Sequence, residues 1–146
     1  MTEPRVVPEE TPLTAPYWAA ARRGVVLLQR CADCGLVWHP PAPTCPGGPA
    51  HRVEWVPASG RAVLRSYTAV HHAVHAAVTG RVPYLVALVE LEEGPLFVCS
   101  LDGVAEEQLV NGLPLTLSTG PTPGGLELPV ARPAAGAGAA GPAPRA

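Results

Sequence analysis

Three strand-like segments, one short helix and two further strand-like segments, in that order from Gly60 onward, predict a mostly β protein built on a five-stranded barrel of OB-fold order. Two observations describe what precedes the barrel: a short helical segment, TAPYWAAARRG, and a cysteine knuckle, Cys31-Ala32-Asp33-Cys34-Gly35, between strand-like flanks. Five parts are expected: a tail over 1–13, a helical segment over 14–27, a knuckle-bearing domain over 28–57, the barrel over 58–131, and a tail over 132–146.

The first tail is polar and Pro-interrupted and the last is Ala/Gly/Pro low complexity, so neither buries enough apolar surface to offset its ordering entropy. Thr14 is a suitable N-cap, Pro16 suits a first helical turn and Gly24 is a natural stop, which places a helix over about 15–23 with Tyr17 and Trp18 as its large apolar residues. The knuckle segment is too small and Pro-rich to hold a core alone, so it must be cross-linked or packed upon. RAVLRSYTAV alternates as a half-buried strand, PYLVALVEL is a nearly continuous apolar strand, and a Gly94 turn leads into LFVCSL. VAEEQLVNG suggests a short helix, acidic in its first turn and stopped at Asn111-Gly112. PLTLS and LELPVA complete the barrel.

Hydrophobic residues make up 47% of the 146 residues, which excludes a wholly disordered chain. No apolar run approaches the roughly 18–20 residues of a membrane span. The acidic, Pro-broken start lacks the pattern of a signal peptide, so a soluble, cytoplasmic protein is expected. All ten basic residues are arginine and the net charge is −2, which argues against a nucleic-acid binder.

Cys31 and Cys34 have the spacing of a zinc knuckle, with Gly35 free to turn the chain around the ion. No second CxxC follows; Cys45 stands alone, and His51 is the nearest residue able to complete a Cys3His set. Such a site is structural, since nothing supplies an open position beside an acid or base. The bland alternative is a ribbon without metal, held by Trp38 and Trp55. Cys99, mid-strand, suits an inert buried thiol. His71, His72 and His75 crowd the end of the first barrel strand without a carboxylate to complete a metal triad, so a loop meeting a ligand or partner is favoured.

PYWAAARRGVVLLQRCADCG, HPPAPTCP, VEWVPASGRAVLRSYTAVHHAVH, VPYLVALVELEEGP and NGLPL, in that order, resemble the DUF35 family over residues 14–133. The resemblance implies an N-terminal helix, a rubredoxin-like zinc ribbon and a C-terminal OB-fold. It also implies a partner of thiolase-like enzymes, with acyl-CoA associated with the barrel and the covalent chemistry left to the partner's cysteine. Cys31, Cys34 and Cys45 fall on three of the family's four ribbon ligands, while the fourth position is occupied by Gly48. His71 and His75 fall on a His-containing loop, and Tyr17-Trp18 on an aromatic pair of the first helix.

The expected function is a non-catalytic accessory subunit in a hetero-oligomer with a thiolase-like enzyme. Arg61, Arg65 and Arg81 are candidate phosphate contacts for coenzyme A, since guanidinium recognises phosphate in bidentate fashion. Tyr17 and Trp18 are candidate partner contacts, and His71 and His75 candidate contacts to acyl-CoA or partner. Zinc and an acyl-CoA thioester are the expected metal and ligand. A single-stranded nucleic-acid module lacks the basic, aromatic groove it needs. A stand-alone thioesterase or acyltransferase would have to use His71 or His75 with Cys99.

Overall fold

The computed structural model describes residues 8–121 and 127–137. The proposed tails fall largely at 1–7 and 138–146, outside the described residues. Helix α1 spans Ala15–Ala21. Thr14 stands at its N-cap, but the Thr14 hydroxyl accepts from the Thr11 N–H at 3.0 Å rather than from the helix. Gly24, at φ +81°, turns the chain out of the helix, as its missing Cβ permits.

The knuckle segment forms a three-stranded sheet in which β1 (Leu27–Cys31) lies between β2 (Val37–Trp38) and β3 (Val53–Pro57). Gln29 of β1 is in register with Trp38 on one side and Trp55 on the other. Its buried amide oxygen accepts from the Ala42 N–H at 2.6 Å, which fixes the Pro-rich loop to the sheet.

The barrel strands are β4 (Arg61–Val70), β5 (Tyr84–Leu91), β6 (Leu96–Leu101), β7 (Pro114–Pro121) and β8 (Glu127–Pro133). They close in the order β4-β5-β6-β8-β7, with β6 and β8 parallel and the other pairings antiparallel. A register shift between Leu64 and Ser66 ends the inward alternation of β4, so its second half leaves the core.

Two sequence expectations need correction. The helix anticipated over VAEEQLVNG is a three-residue 3-10 turn, Glu106–Gln108. Val104 and Leu109 both pack towards the core; five positions apart, they would point about 140° from each other on an α-helix, so one tight turn seats both where a helix would not. The last strand also runs beyond 131: Arg132 and Pro133, assigned to the tail, pair with Thr116 and Leu115.

One core joins the three parts. Tyr17 of the helix and Val26 and Leu28 of the ribbon pack with Leu64, Val89, Phe97, Leu101, Leu115 and Leu117 of the barrel. Each large side chain buried in this way stabilises the fold by roughly 1.5–3 kcal/mol. The ribbon therefore has the packing support that its own size denies it. A second small cluster, Cys31, Trp38 and Cys45, lies beside the knuckle.

Candidate metal centre and barrel cleft

β1 ends at Cys31, the Gly35 turn (φ +75°) reverses the chain, and the Cys34 N–H donates to the Cys31 sulfur at 3.3 Å. Cys45 stands at the start of a tight turn whose Gly47 N–H donates to its sulfur at 3.2 Å. The side-chain donor atoms of Cys31, Cys34, Cys45 and His51 all lie within 4.8 Å of one another. Cys34 and Cys45 Sγ are 3.7 Å apart, and Cys31 Sγ is 3.5 Å from His51 Nδ1. A tetrahedral zinc with arms of about 2.0–2.3 Å sets ligand separations of about 3.5–3.8 Å, so the donor types and these two separations fit the ion.

Gly48 leaves room for His51 to reach the cysteines. A Cβ built at Gly48 would stand 3.1–3.3 Å from the His51 ring. The imidazole thus fills the space into which a side chain at 48 would project. Gly48 is not among the positive-φ glycines, so its backbone would accept another residue. Asp33 of the knuckle receives the Arg52 N–H at 2.6 Å and its guanidinium at 3.0 Å, fixing the residue next to His51. That hydrogen bond, with the guanidinium charge, holds the Asp33 carboxyl below its ordinary range. Burial works to raise the Cys31 thiol, but the backbone N–H groups of Cys34 and Asp33 and the neighbouring cysteines outweigh it and bring it to about 6. The Asp33–Arg52 clamp was not foreseen; nothing in the spacing of two exposed charges marks it.

His39 stands apart from this cluster. Its ring stacks on Phe97 of the barrel at 4.1 Å between centroids, and burial lowers its pKa to about 4. The folded state then binds fewer protons than the unfolded chain, so stability is complete above about 6.5 and is lost as pH falls towards 4. Discounted for its partial exposure, the loss is about 1–2 kcal/mol. His39→Phe keeps the stacking and should flatten this part of the profile. Comparing denaturant midpoints of the two proteins between pH 4.5 and 7, with approximate spacing of half a unit, checks it; parallel profiles would contradict the assignment.

The other predicted residues separate. Arg61 is ion-paired with Glu92, and Arg65 with Glu90 at 2.7 Å, along the outside of β4 and β5. Tyr17 is turned into the core and only Trp18 keeps an accessible edge, with the two rings edge-to-face at 4.9 Å. His71 and His75 are exposed beyond β4; His75 Nδ1 accepts from the Ala77 N–H at 3.1 Å and caps a 3-10 helix, Ala76–Arg81. Arg81, at the end of that helix, enters a cleft at one end of the barrel with Tyr84, Asp102 and Arg132. Arg132 was missed because it was assigned to the tail. Cys99 faces the core, where burial pushes its thiol up to about 12. No helix among the described residues is long and apolar enough to cross a membrane.

Comparison with known proteins agrees with this division. Residues 18–51 match the ChsH2 rubredoxin-like zinc ribbon domain and residues 55–119 the ChsH2 C-terminal OB-fold domain. A protein of Thermomonospora curvata named "Probable enoyl-CoA hydratase alpha subunit" is 39% identical over 118 residues, 81% of this chain and 36% of that one. The chain thus spans about a third of that relative's length. A DUF35 domain-containing scaffold protein of Pyrococcus furiosus is 28% identical over 70% of this chain and 75% of its own. A solved structure described as "Ltp2-ChsH2(DUF35) aldolase" superposes with a TM-score of 0.79 at 37% identity, covering 87% of this chain and 98% of that one. With the ribbon, the closed barrel and their order all in place, the chain belongs to the DUF35 family.

Proposed function

We propose that the chain is a non-catalytic accessory subunit that binds a thiolase-like enzyme (a thiolase, ketosynthase-like acyltransferase or aldolase) and helps hold its acyl-CoA substrate. The observation that carries this reading is the overlap, across 98% of its length, with the chain of the Ltp2-ChsH2(DUF35) aldolase structure. The names of the other relatives, a hydratase subunit and a scaffold, support the same class of role. The ribbon holds a structural zinc through Cys31, Cys34, Cys45 and His51. Four protein donors leave no position for substrate, so the metal serves the fold. The raised thiol of Cys99 supports leaving the covalent chemistry to the partner.

In this reading His71 and His75, exposed beyond β4, meet the acyl-CoA or the partner by shape and hydrogen bonding. Asn is the informative replacement, because it can also cap a helix and so spares the Ala76–Arg81 segment. In steady-state turnover of the reconstituted complex, His71→Asn or His75→Asn should shift the apparent KM. The change in kcat should stay well below the roughly 10²–10⁴-fold of general acid–base catalysis. A collapse of kcat at saturating substrate, with the complex intact, would falsify the accessory role and make the loop part of a composite active site.

A further inference from the structure

The four cysteines differ in access. Cys31, Cys45 and Cys99 are buried, and Cys34 is exposed. Cys99 belongs to the barrel core, a cluster separate from that of the ribbon cysteines. Cys31 is 1% exposed, packs with Trp38 and turns its sulfur towards His51 Nδ1 at 3.5 Å. Cys34 turns its sulfur towards Cys45 Sγ, 3.7 Å away. The cluster thus has a closed edge at Cys31 and His51 and an open one at Cys34 and Cys45.

Gly47 keeps the second edge open. It is exposed, and a Cβ there would stand 3.5 Å from both the Cys34 and the Cys45 sulfur. A side chain at 47 would cover the pair in ordinary van der Waals contact, whereas glycine leaves that approach clear. Gly47 is not among the positive-φ glycines, so its backbone does not demand glycine. An accessible thiolate with a second cysteine behind it is the arrangement that a peroxide oxidises and a resolving thiol then traps. A disulfide holds its sulfurs at about 2.05 Å, about 1.7 Å closer than this pair stands. Gly35 follows Cys34, and Gly47 and Gly48 lie just beyond Cys45, so both turns have glycine to absorb the shift.

We propose that Cys34 is a site of oxidation by peroxide, approached over Gly47, and that Cys45 resolves it as a disulfide and so opens the metal site reversibly. The proposal rests on the zinc reading above and adds a chemical means of release. The Cys34 thiolate attacks one peroxide oxygen: the S–O bond forms, the O–O bond breaks, and the departing hydroxide takes a proton to become water. The Cys45 thiolate then attacks the Cys34 sulfur, forming the S–S bond and expelling hydroxide, which a second proton converts to water. The two sulfurs together lose two electrons and the peroxide gains them. Cys31 and His51 remain as two donors where structural zinc takes four, so they do not retain the ion. Val26 and Leu28 stay anchored in the shared core and the Gln29 amide still holds Ala42. The ribbon therefore keeps its place until a thiol reductant and zinc restore the site.

The full chain is treated with hydrogen peroxide while a chromogenic chelator reports free zinc, and the products are alkylated and fragmented in a mass spectrometer. The bound zinc should be released in step with the loss of two thiols. Cys31 and Cys99 should take the alkylating label, and Cys34 and Cys45 should be joined. Dithiothreitol with added zinc should return the starting material, with circular dichroism unchanged throughout. Gly47→Ala keeps all four donors, so it should hold the same zinc and release it severalfold more slowly, because access governs thiol reactivity. Retention of all four thiols, a Cys31–Cys34 disulfide, oxidation that stops at a sulfinic acid on Cys34, or release from Gly47→Ala at the unaltered rate would overturn the assignment. A chain that carries no zinc before peroxide is added would refute the zinc reading instead, and the alkylation pattern alone then decides whether Cys34 and Cys45 join.

Discussion

Protein purified without a tag or chelator is expected to carry close to one zinc per chain, and His51→Ala to lose both metal and thermal stability. Structural zinc contributes on the order of 10 kcal/mol in small zinc peptides, far more than a surface substitution costs. Here the loss is limited to the ribbon, because Val26 and Leu28 remain anchored in the shared core. A second variant separates loss of a ligand from loss of packing. A side chain at 48 projects into the space of the His51 ring, so Gly48→Cys combined with His51→Ala should restore four donors and recover the metal. Elemental analysis and melting temperature give the result. A zinc ratio and melting temperature untouched by His51→Ala would remove His51 from the ligand set.

The barrel was legible because its strands carry their own signals. RAVLRSYTAV and LFVCSL match β4 and β6 residue for residue, and the Gly94 turn joins β5 to β6. Three members of the Cys/His cluster were equally plain from CxxCG and the lone Cys45. The fourth was less so, because a His six residues on from Cys45 reaches the site only through the Cys45–His51 turn, where the His51 N–H donates to the Gly48 carbonyl at 3.2 Å. What the sequence concealed was direction. In LFVCSL every residue but one is apolar, yet Phe97, Cys99 and Leu101 face inward while Leu96 and Val98 face outward. A continuous apolar run does not reveal which of its alternate faces meets solvent. Similarly, Arg61, Arg65 and Arg81 look alike along the chain, and only the pairing of β4 with β5 sets glutamates against the first two.

Those outward residues shape the second large effect expected, the loss of partner binding in Trp18→Ala. Trp18 borders a shallow groove with Pro40, Pro41, Val98 and Pro129, where the helix, ribbon and barrel meet. Val98 is 63% exposed and Leu96 is 50% exposed on the adjoining face of β6. An apolar patch with an aromatic at its edge is the kind of surface that partners cover, and truncating such an aromatic costs about 2 kcal/mol or more. Trp18→Ala should therefore weaken assembly with the proposed thiolase-like partner by about 30-fold, the equivalent of that energy. Tyr17, buried in the core, keeps the helix docked in the variant. Val98→Glu provides an independent probe, since its side chain contributes little to the fold but would place a charge within the contact. Sedimentation or co-purification reports the complex, and the melting temperature of the isolated chain reports the fold. If Trp18→Ala lowers the melting temperature but leaves the complex intact, Trp18 is a packing residue between helix and ribbon, and the enzyme must dock on another face.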